Sequence, residues 1–213
     1  NEGEVELALL EHCIRDNLNY SAERRLAVLK PLKVVIENFP EGKTEWLSAF
    51  NNPNSDKQEQ RKIPFSKEIW IEQDDFMEEP SKKFFRLAPG KEVRLRYAFF
   101  VTCNAVIKDE GGEIVELRCS YDPETRGGNA PDGRKVKGTI HWVSAEHAKD
   151  AEVRIYNSFY NTPSPGRDRD FTEDINKNSL EVLENCKIEP DLIALDDNVP
   201  IQFERLGYFY KDP

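Results

Sequence analysis

The chain has 213 residues, of which 38% are hydrophobic and 33% are charged. This length and apolar content are enough to bury a core, which excludes a wholly disordered protein. The formal net charge of −10 argues against indiscriminate binding of nucleic acids, because an acidic protein repels phosphates at long range. The apolar runs fall far short of the about 20 residues that a membrane helix requires, so no membrane-spanning segment is predicted.

The start of the chain has the pattern of an amphipathic helix. From Glu4 to Asn19 the apolar positions recur at spacings of three and four, at Leu7, Leu10, Ile14 and Leu18. Residues at this spacing lie on one face of a helix. We therefore expect a helix over Glu4 to Asn19, and the rest of the sequence predicts no second long helix.

Beyond residue 31 the hydrophobic period changes to two, or to short apolar runs bounded by Pro, Gly and Asn. Such runs are typical of β-strands, and eight are predicted, at 32–38, 68–71, 92–102, 105–108, 114–120, 135–143, 152–156 and 202–210. The tetrapeptide DEGG at 109–112 has the composition of a hairpin turn. Long loops are predicted at 41–63 and 121–133. Many short strands without alternating helices predict antiparallel sheets, as a barrel or a sandwich.

The stretch KKFFRLAPGKEVRLR, residues 82–96, places six cations and one carboxylate in an acidic chain. If it ends in a strand, Arg94 and Arg96 share one face about 7 Å apart, since a strand rises roughly 3.3 Å per residue. Guanidinium groups at that spacing suit successive nucleotides, and the aromatic pair at 84–85 offers stacking surface for unpaired bases. A solvated face beside an ordinary core fits equally, so both interpretations stay open. The arginine pair at 24–25 is expected to be surface charge.

Other polar clusters have no catalytic or metal-binding pattern. The four cysteines are far apart, contain no CxxC pair and share no ligand spacing with the histidines, so buried, reduced thiols are expected rather than zinc ligands. The acids Glu72, Asp74 and Asp75 could support acid–base catalysis, but without a companion histidine or a metal pattern a solvated turn is favoured. His141, among apolar residues of a predicted strand, is expected to be structural. The sequence therefore predicts no catalytic residue and no metal ligand.

Three segments carry a family resemblance: AVLKPLKVVIENFP at 27–40, LAPGKEVRLRYAFF at 87–100 and DGRKVKGTIHWVSAEHA at 132–148. Together with IQFERLGYF at 201–209 they resemble the C-terminal anticodon-binding region of glutaminyl-tRNA synthetases, which are class I enzymes. The resemblance runs over nearly the whole chain. Glutamyl-tRNA synthetases of the archaeal and eukaryotic type share this architecture and are the nearest alternative. A stand-alone barrel protein that binds ribosomal RNA and a β-rich protein-interaction module are the alternatives from other classes.

The resemblance implies two antiparallel β-barrels, proximal and distal, preceded by a helical segment. Residues 1–23 would end a helical subdomain, residues 24–80 with 181–213 would form the proximal barrel, and residues 81–180 the distal one. The HIGH-like and KMSKS-like motifs of a class I catalytic domain do not occur. Catalysis, with its ATP and Mg, would belong to a catalytic domain elsewhere in the same polypeptide, and no cofactor is expected in this chain. The expected partner is the anticodon loop of glutamine tRNA, bound in the cytoplasm by a monomer.

The resemblance also assigns anticodon-binding residues. They are Arg24, Gln202 and Arg205 for the middle base, a uridine in glutamine tRNAs, Arg94 and Arg96 near the first base, and Arg86 for the third base, a guanine. A guanidinium facing O6 and N7 of guanine is the chemically expected pairing. Two departures concern the third base: Phe85 stands where some members of the family have a lysine, and Lys83 where they have a glutamine. The pocket for that base is therefore expected to rely more on stacking.

Overall fold

The computed structural model describes residues 7–212, which form one α-helix and fifteen short strands. Helix α1 spans Leu7–Ser21. The strands are β1 (Glu23–Arg25), β2 (Ala27–Val28), β3 (Pro31–Ile36), β4 (Glu45–Phe50), β5 (Gln60–Phe65), β6 (Glu68–Glu72), β7 (Glu92–Leu95), β8 (Phe100–Lys108), β9 (Ile114–Asp122), β10 (Thr139–Ile140), β11 (Val143–Ser144), β12 (Lys149–Tyr156), β13 (Leu180–Ile188), β14 (Ile201–Phe203) and β15 (Gly207–Phe209). Short 3-10 turns occupy Gln73–Asp75, Pro123–Thr125, Phe171–Asp174 and Pro190–Ala194. A mainly β fold preceded by a helix is confirmed.

Helix α1 lies outside the hydrophobic core. Its predicted apolar face is present, but no residue of the helix is buried, and Leu10 and Ile14 are 52% and 46% exposed. The predicted helical residues 4–6 lie outside the described part of the chain. The helix connects to the sheets at its last turn, where the amide of Ala22 donates to the carbonyl of Leu18. Within residues 7–212, nothing buries the apolar face of the helix.

The largest sheet has seven strands in the order β10-β7-β8-β9-β3-β6-β11. Its two edge strands, β10 and β11, are separated in the chain only by His141 and Trp142. Because consecutive Cα atoms are about 3.8 Å apart, these edges meet within roughly 11 Å, so the sheet curls round into a barrel. The interior is one apolar cluster, in which the rings of Phe99 and Trp142 each lie 5.1 Å from that of Phe65.

A second apolar cluster is formed by two three-stranded sheets, β12-β13-β2 and β1-β14-β15. Val153 and Cys186 are buried from the first sheet, and Ile201 and Phe203 from the second. Phe203 stacks on Phe209 with ring centroids 4.5 Å apart. Strands β4 and β5 form a separate hairpin. The molecule therefore has two β-built cores, and the turn between β14 and β15 projects from the second of them.

Most strand pairs are antiparallel, as expected, but three are parallel: β1 with β14, β10 with β7, and β3 with β9. Parallel pairing requires a long connection between the two strands. Strands β3 and β9 satisfy this requirement because residues 37–113 lie between them. The sequence pattern did not reveal this pairing, since period-two alternation is common to both kinds of ladder.

The expected division of the chain into residues 1–23, 24–80 with 181–213, and 81–180 stays a prediction. The seven-stranded sheet takes β3 and β6 from one side of residue 80 and β7 to β11 from the other. A boundary at residue 80 would therefore run through a hydrogen-bonded sheet.

Four sequence predictions of local structure are wrong. The predicted strand 135–143 is loop except for β10 and the first residue of β11, and the predicted strand 202–210 is the antiparallel pair β14 and β15. The segment 41–63 contains β4 and most of β5. Leu47, Ala49 and Ile63 are buried, but the exposed Trp46 and the buried Arg61 break the alternation of apolar and polar residues. The predicted strand 92–102 is two strands, since β7 ends at Leu95 and the chain reverses through Tyr97, whose φ is 64°. The hairpin turn at 109–112 is confirmed: β8 and β9 are antiparallel on either side of it.

No helix within residues 7–212 is long and apolar enough to cross a bilayer. In the same range no cluster of three or more His, Cys, Asp or Glu side chains could hold a metal ion. Three cysteines are buried free thiols, as expected, whereas Cys13 on helix α1 is exposed. The cysteines therefore fill core positions in the sheets and not in the helix.

Candidate nucleic-acid interface

Two of the predicted arginines meet at one carboxylate. Arg205 donates from Nη1 to Oδ2 of Asp75 at 2.6 Å and from Nη2 to Oδ1 at 2.7 Å. Nε of Arg86 lies 3.3 Å from the same Oδ1, and its Nη1 donates to the carbonyl of Asp74 at 2.9 Å. We call Asp75, Arg86, His141 and Arg205 the Asp75 cluster. It joins residues from three distant parts of the sequence.

His141 occupies the other side of Arg205. Its Nδ1 lies 2.9 Å from Nη1 of Arg205, and its Nε2 lies 3.3 Å from Oε1 of Glu72. The Glu72 carboxylate also accepts hydrogen bonds from the amides of Leu29 at 2.7 Å and Lys30 at 3.0 Å. A continuous chain of polar contacts therefore runs from the backbone before β3 to the Arg205 guanidinium.

The expectation of a solvated acidic turn at residues 72–75 is wrong for two of its three acids. Glu72 and Asp75 are 8% and 1% exposed, whereas Asp74 is exposed. The 3-10 turn at Gln73–Asp75 directs Asp75 inward, and a buried carboxylate requires a paired cation. That cation, Arg205, is 130 residues away in sequence, so no local signal could have identified the pair.

A second carboxylate, Glu204, holds Arg96. Nε of Arg96 lies 2.7 Å from Oε2 of Glu204, and the Arg96 guanidinium lies 4.8 Å from the ring centroid of Tyr97. The Tyr97 hydroxyl donates to Oε1 of Glu204. Burial, and then the charge of Glu204, raises the pKa of Tyr97 to about 12. The hydroxyl therefore stays protonated at neutral pH and keeps Glu204 fixed as the ion-pair partner of Arg96, whose buried Nε makes no hydrogen bond in the described structure.

Both turns that carry these contacts have unusual backbones. Tyr97 and Arg205 adopt φ values of 64° and 72°, in the left-handed region that side chains other than glycine rarely occupy. Such a conformation costs of order 1–3 kcal/mol and tends to occur where function requires it. In this molecule it brings the β7–β8 turn and the β14–β15 turn into contact through Glu204.

Arg24 and Gln202 lie opposite each other on the parallel strands β1 and β14. Arg24 is 6% exposed, which overturns the expectation that it is surface charge. Its Nη2 donates to the carbonyl of Asn19 at 3.0 Å and to Oδ1 of Asn19 at 2.8 Å. Its Nη1 is buried and has no hydrogen-bond acceptor within residues 7–212. Arg24 is therefore held in place with one donor unsatisfied.

Arg94 belongs to neither cluster. Its guanidinium lies 5.4 Å from the ring centroid of Phe100, and its Nε is a second buried donor without an acceptor in the described structure. Gly128, with φ of 88°, packs so closely that a Cβ there would lie 3.0 Å from Cδ of Arg94. Because β7 ends at Leu95, the strand alternation that would place Arg94 and Arg96 on one face does not extend to Arg96.

Phe85 lies beside Arg86 and is 51% exposed. Nζ of Lys137 lies 5.0 Å from the centroid of its ring. The backbone of this segment runs so close to Gly138 that a Cβ there would lie 1.8 Å from the carbonyl oxygen of Phe85, so only glycine fits. The close approach sets an exposed aromatic ring next to the Asp75 cluster.

Two family models match the chain, one at residues 22–122 and one at residues 139–212. Both carry the description tRNA synthetases class I (E and Q), anti-codon binding domain. The chain belongs to this family. The two matches include all six residues that the resemblance assigned, together with the carboxylates Asp75 and Glu204.

The chain is also similar to curated glutamine–tRNA ligases. It is 60% identical over 208 residues to that of Bradyrhizobium diazoefficiens, covering 98% of this chain and 37% of the relative. Identity is 51% over 211 residues with the ligase of Aliivibrio fischeri and 47% over 210 residues with that of Clostridium kluyveri, covering 99% and 98% of this chain and 38% of each relative. The chain therefore spans a little over a third of the length of these relatives.

Sequence reasoning missed the acidic partners of the arginines. Glu204 stood inside the segment IQFERLGYF that carried the resemblance, directly before Arg205, so its position was a usable signal. Tyr97, which holds Glu204, likewise lies inside the segment LAPGKEVRLRYAFF that carried the resemblance. Asp75 and Glu72 had no such signal, because neither lies in a segment that the resemblance used.

Proposed function

We propose that this chain is the anticodon-recognition part of a glutamine–tRNA ligase. Its membership of the anticodon-binding family and its identity of 47–60% with three glutamine–tRNA ligases support this proposal. The names of these relatives favour glutamine over glutamate as the amino acid that the longer protein attaches to tRNA. Their greater length favours a part of a longer ligase over a stand-alone protein that binds ribosomal RNA.

The observation that carries the proposal is the set of donors that Arg205 leaves open. Asp75 and His141 engage two N–H groups of Nη1 and one of Nη2. A guanidinium has five N–H donors in a fixed plane, so Nε–H and the second Nη2–H remain, on one edge. The side chain is 28% exposed. A fixed pair of parallel donors at the surface suits a base edge or a phosphate.

The six arginine and glutamine positions divide among the three anticodon bases as the family resemblance implies. Arg205, Gln202 and Arg24 bind the middle base. Arg86 pairs with the guanine of the third base, and the exposed ring of Phe85 beside it stacks on that base.

The first base is bound near Arg94 and Arg96. The guanidinium of Arg94 is held 5.4 Å from the ring centroid of Phe100, and Nε of Arg96 lies 2.7 Å from Glu204. Binding supplies acceptors to guanidinium groups that the protein has already oriented, which is the general route from preorganisation to affinity.

The chemistry of the proposed ligase lies outside this chain. The longer protein attaches glutamine to its tRNA with ATP and Mg in a catalytic domain of the same polypeptide. It acts as a monomer in the cytoplasm. Base discrimination is the contribution of this chain, because bound anticodon bases fix how the tRNA reaches the distant active site.

The substitution Arg205→Ala in the longer protein tests the proposal. We expect affinity for glutamine tRNA to fall by about 1–3 kcal/mol, the value of one good base contact, with a much smaller loss for a tRNA whose middle anticodon base is changed. Equilibrium binding to both tRNAs measures the difference. Arg154→Ala is the matched control, since Arg154 pairs with Glu152 and Asp212 on another face. Equal losses for both tRNAs would contradict the assigned role.

A further inference from the structure

His141 is a buried histidine with a defined contact on each ring nitrogen. It is 1% exposed and lies in the two-residue link between β10 and β11, where the edges of the curled sheet meet. Nδ1 faces Nη1 of Arg205 at 2.9 Å, and Nε2 faces Oε1 of Glu72 at 3.3 Å. The ring therefore bridges a buried carboxylate and a guanidinium.

The chemistry of the two neighbours fixes the protonation of the ring. An arginine side chain can only donate hydrogen bonds, so Nδ1 of His141 must be the acceptor and carries no proton. The proton is on Nε2 and points at Glu72, which accepts it. Glu72 is itself held by the amides of Leu29 and Lys30. Arg205 and Glu72 thus set the tautomer of His141. Because backbone amides hold Glu72, the position of the acceptor Nδ1 that faces Arg205 is also fixed.

This acceptor limits how the Arg205 guanidinium can lie. Asp75 accepts from Nη1 and Nη2 of Arg205, which fixes the distance between the guanidinium and the carboxylate but lets the guanidinium plane tilt against the carboxylate plane. The additional hydrogen bond from Nη1 to Nδ1 of His141 prevents this tilt. Together the two partners orient the remaining edge, Nε–H and Nη2–H, toward solvent.

We propose that His141, held by Glu72, is a positioning residue that sets the selectivity of Arg205 for the middle anticodon base. The inference rests on the proposed function, and it concerns the orientation of Arg205 rather than its presence. His141 does not touch RNA in this scheme. Its removal is therefore expected to weaken discrimination at one base more than it weakens binding of RNA in general.

The test compares two polar substitutions in the longer protein that carries the chain. The Oδ1 of His141→Asn lies where Nδ1 of histidine was, so this variant keeps the acceptor for Arg205 and loses the contact with Glu72. The side-chain amide of His141→Gln reaches the position of Nε2, so that variant keeps the donor to Glu72 and loses the acceptor. Both introduce an amide of similar polarity at the same buried site, and thermal unfolding of both variants reports their stability.

The readout is the dissociation constant for a tRNA changed at its middle base divided by the dissociation constant for unchanged glutamine tRNA, so a larger ratio means stronger discrimination. We expect His141→Gln to reduce this ratio about tenfold, the value of one hydrogen bond to a charged group, and His141→Asn to keep it within about threefold. Equal ratios in the two variants, or a larger loss in His141→Asn, would overturn the inference. A wild-type protein without preference for glutamine tRNA would instead overturn the proposed function. If one variant unfolds, the folded one is compared with the wild-type protein: His141→Gln with the wild-type ratio, or His141→Asn with a ratio about tenfold lower, would overturn the inference.

Discussion

Two arginine–carboxylate clusters in this molecule use the same chemical groups in opposite ways. In the first, Nε of Arg25 and Nε of Arg61 lie 3.2 Å and 2.6 Å from one oxygen of Glu189. All three residues are at most 6% exposed, and Arg25 contacts two further acids. We call these three residues the Glu189 cluster. Glu189 contacts both guanidinium groups, Glu23 and Asp191 contact that of Arg25 as well, and the cluster lies inside the protein.

The Asp75 cluster buries only its carboxylate. The side chains of Arg86 and Arg205 are 46% and 28% exposed, and Arg205 keeps an edge of two donors without an acceptor in residues 7–212. The difference lies in where the open donors are. Nε of Arg25 lacks a hydrogen-bond acceptor in the described structure but is buried, so it is closed to a ligand, whereas the open donors of Arg205 lie at the surface and can bind one.

The largest expected effect comes from breaking the Glu189 cluster. Glu189→Ala leaves two buried guanidinium groups without their shared acceptor, and we expect the free energy of unfolding to fall by about 3–5 kcal/mol. Burial already raises the pKa of Glu189, although Arg61 and Arg25 oppose the shift, which shows how costly charge is at this site. Urea denaturation measures the loss. Glu181→Ala, which removes a surface pair with Lys30, is the control, with an expected loss under about 1 kcal/mol.

If the two clusters differ as described, the protein that remains folded in Glu189→Ala keeps its preference among anticodons. A variant that kept full stability and lost base preference would reverse the roles assigned to the two clusters.

A smaller effect, on binding alone, is expected for Arg86→Ala. Asp75 keeps its two bonds from Arg205 in this variant, so the melting temperature should change little. Affinity for a tRNA with guanine as the third anticodon base should fall by about 1–3 kcal/mol, as measured by equilibrium binding. Lys82→Ala, in the same cationic segment, should weaken all tRNAs alike and only slightly. Equal losses for guanine and adenine at the third base would show that Arg86 contacts the RNA backbone.

The smallest effect is expected at Arg134, which resembles neither cluster. It contacts Glu92, Asp122 and Asp132, all outside the core, and surface ion pairs contribute little. Arg134→Gln should leave the melting temperature unchanged within error and alter the dissociation constant for glutamine tRNA by less than about twofold. A larger loss of affinity would place Arg134 among the residues that bind RNA.

Local patterns in the sequence predicted those parts of the fold whose signals are themselves local. The apolar spacing of helix α1 and the DEGG turn between β8 and β9 depend on neighbouring residues only. Strands β4 and β5 were missed because Trp46 is apolar but 51% exposed and Arg61 is charged but buried, so the alternation of apolar and polar residues is broken. The turn at Tyr97 was not predicted because a tyrosine with positive φ is rare, and no turn-forming residue marks this position in the sequence.

The candidate site was predictable only in part, for a related reason. The resemblance supplied the arginines, but whether a guanidinium is saturated or open depends on acids far away in the chain. Asp75 and Arg205 are 130 residues apart, and Arg61 and Glu189 are 128 apart. Arg24 and Arg25 are adjacent in sequence and each has a buried donor without an acceptor in the described structure, yet only Arg25 contacts acids there, three of them. No reading of the two letters RR separates those outcomes.

Helix α1 couples the position of Arg24 to contacts made along the exposed face of the helix. Its last turn supplies Asn19, which holds Arg24, while Leu10 and Ile14 stay about half exposed. A helix of 15 residues with no buried residue is only marginally stable in water, so the contact between Asn19 and Arg24 is lost if the last turn of the helix unfolds. Any surface that covers Leu10 and Ile14 favours the ordered helix. If Arg24 binds RNA as proposed, thermodynamic reciprocity requires that RNA bound there stabilises the helix in return. Amide exchange in α1 and RNA affinity at Arg24 then report one equilibrium.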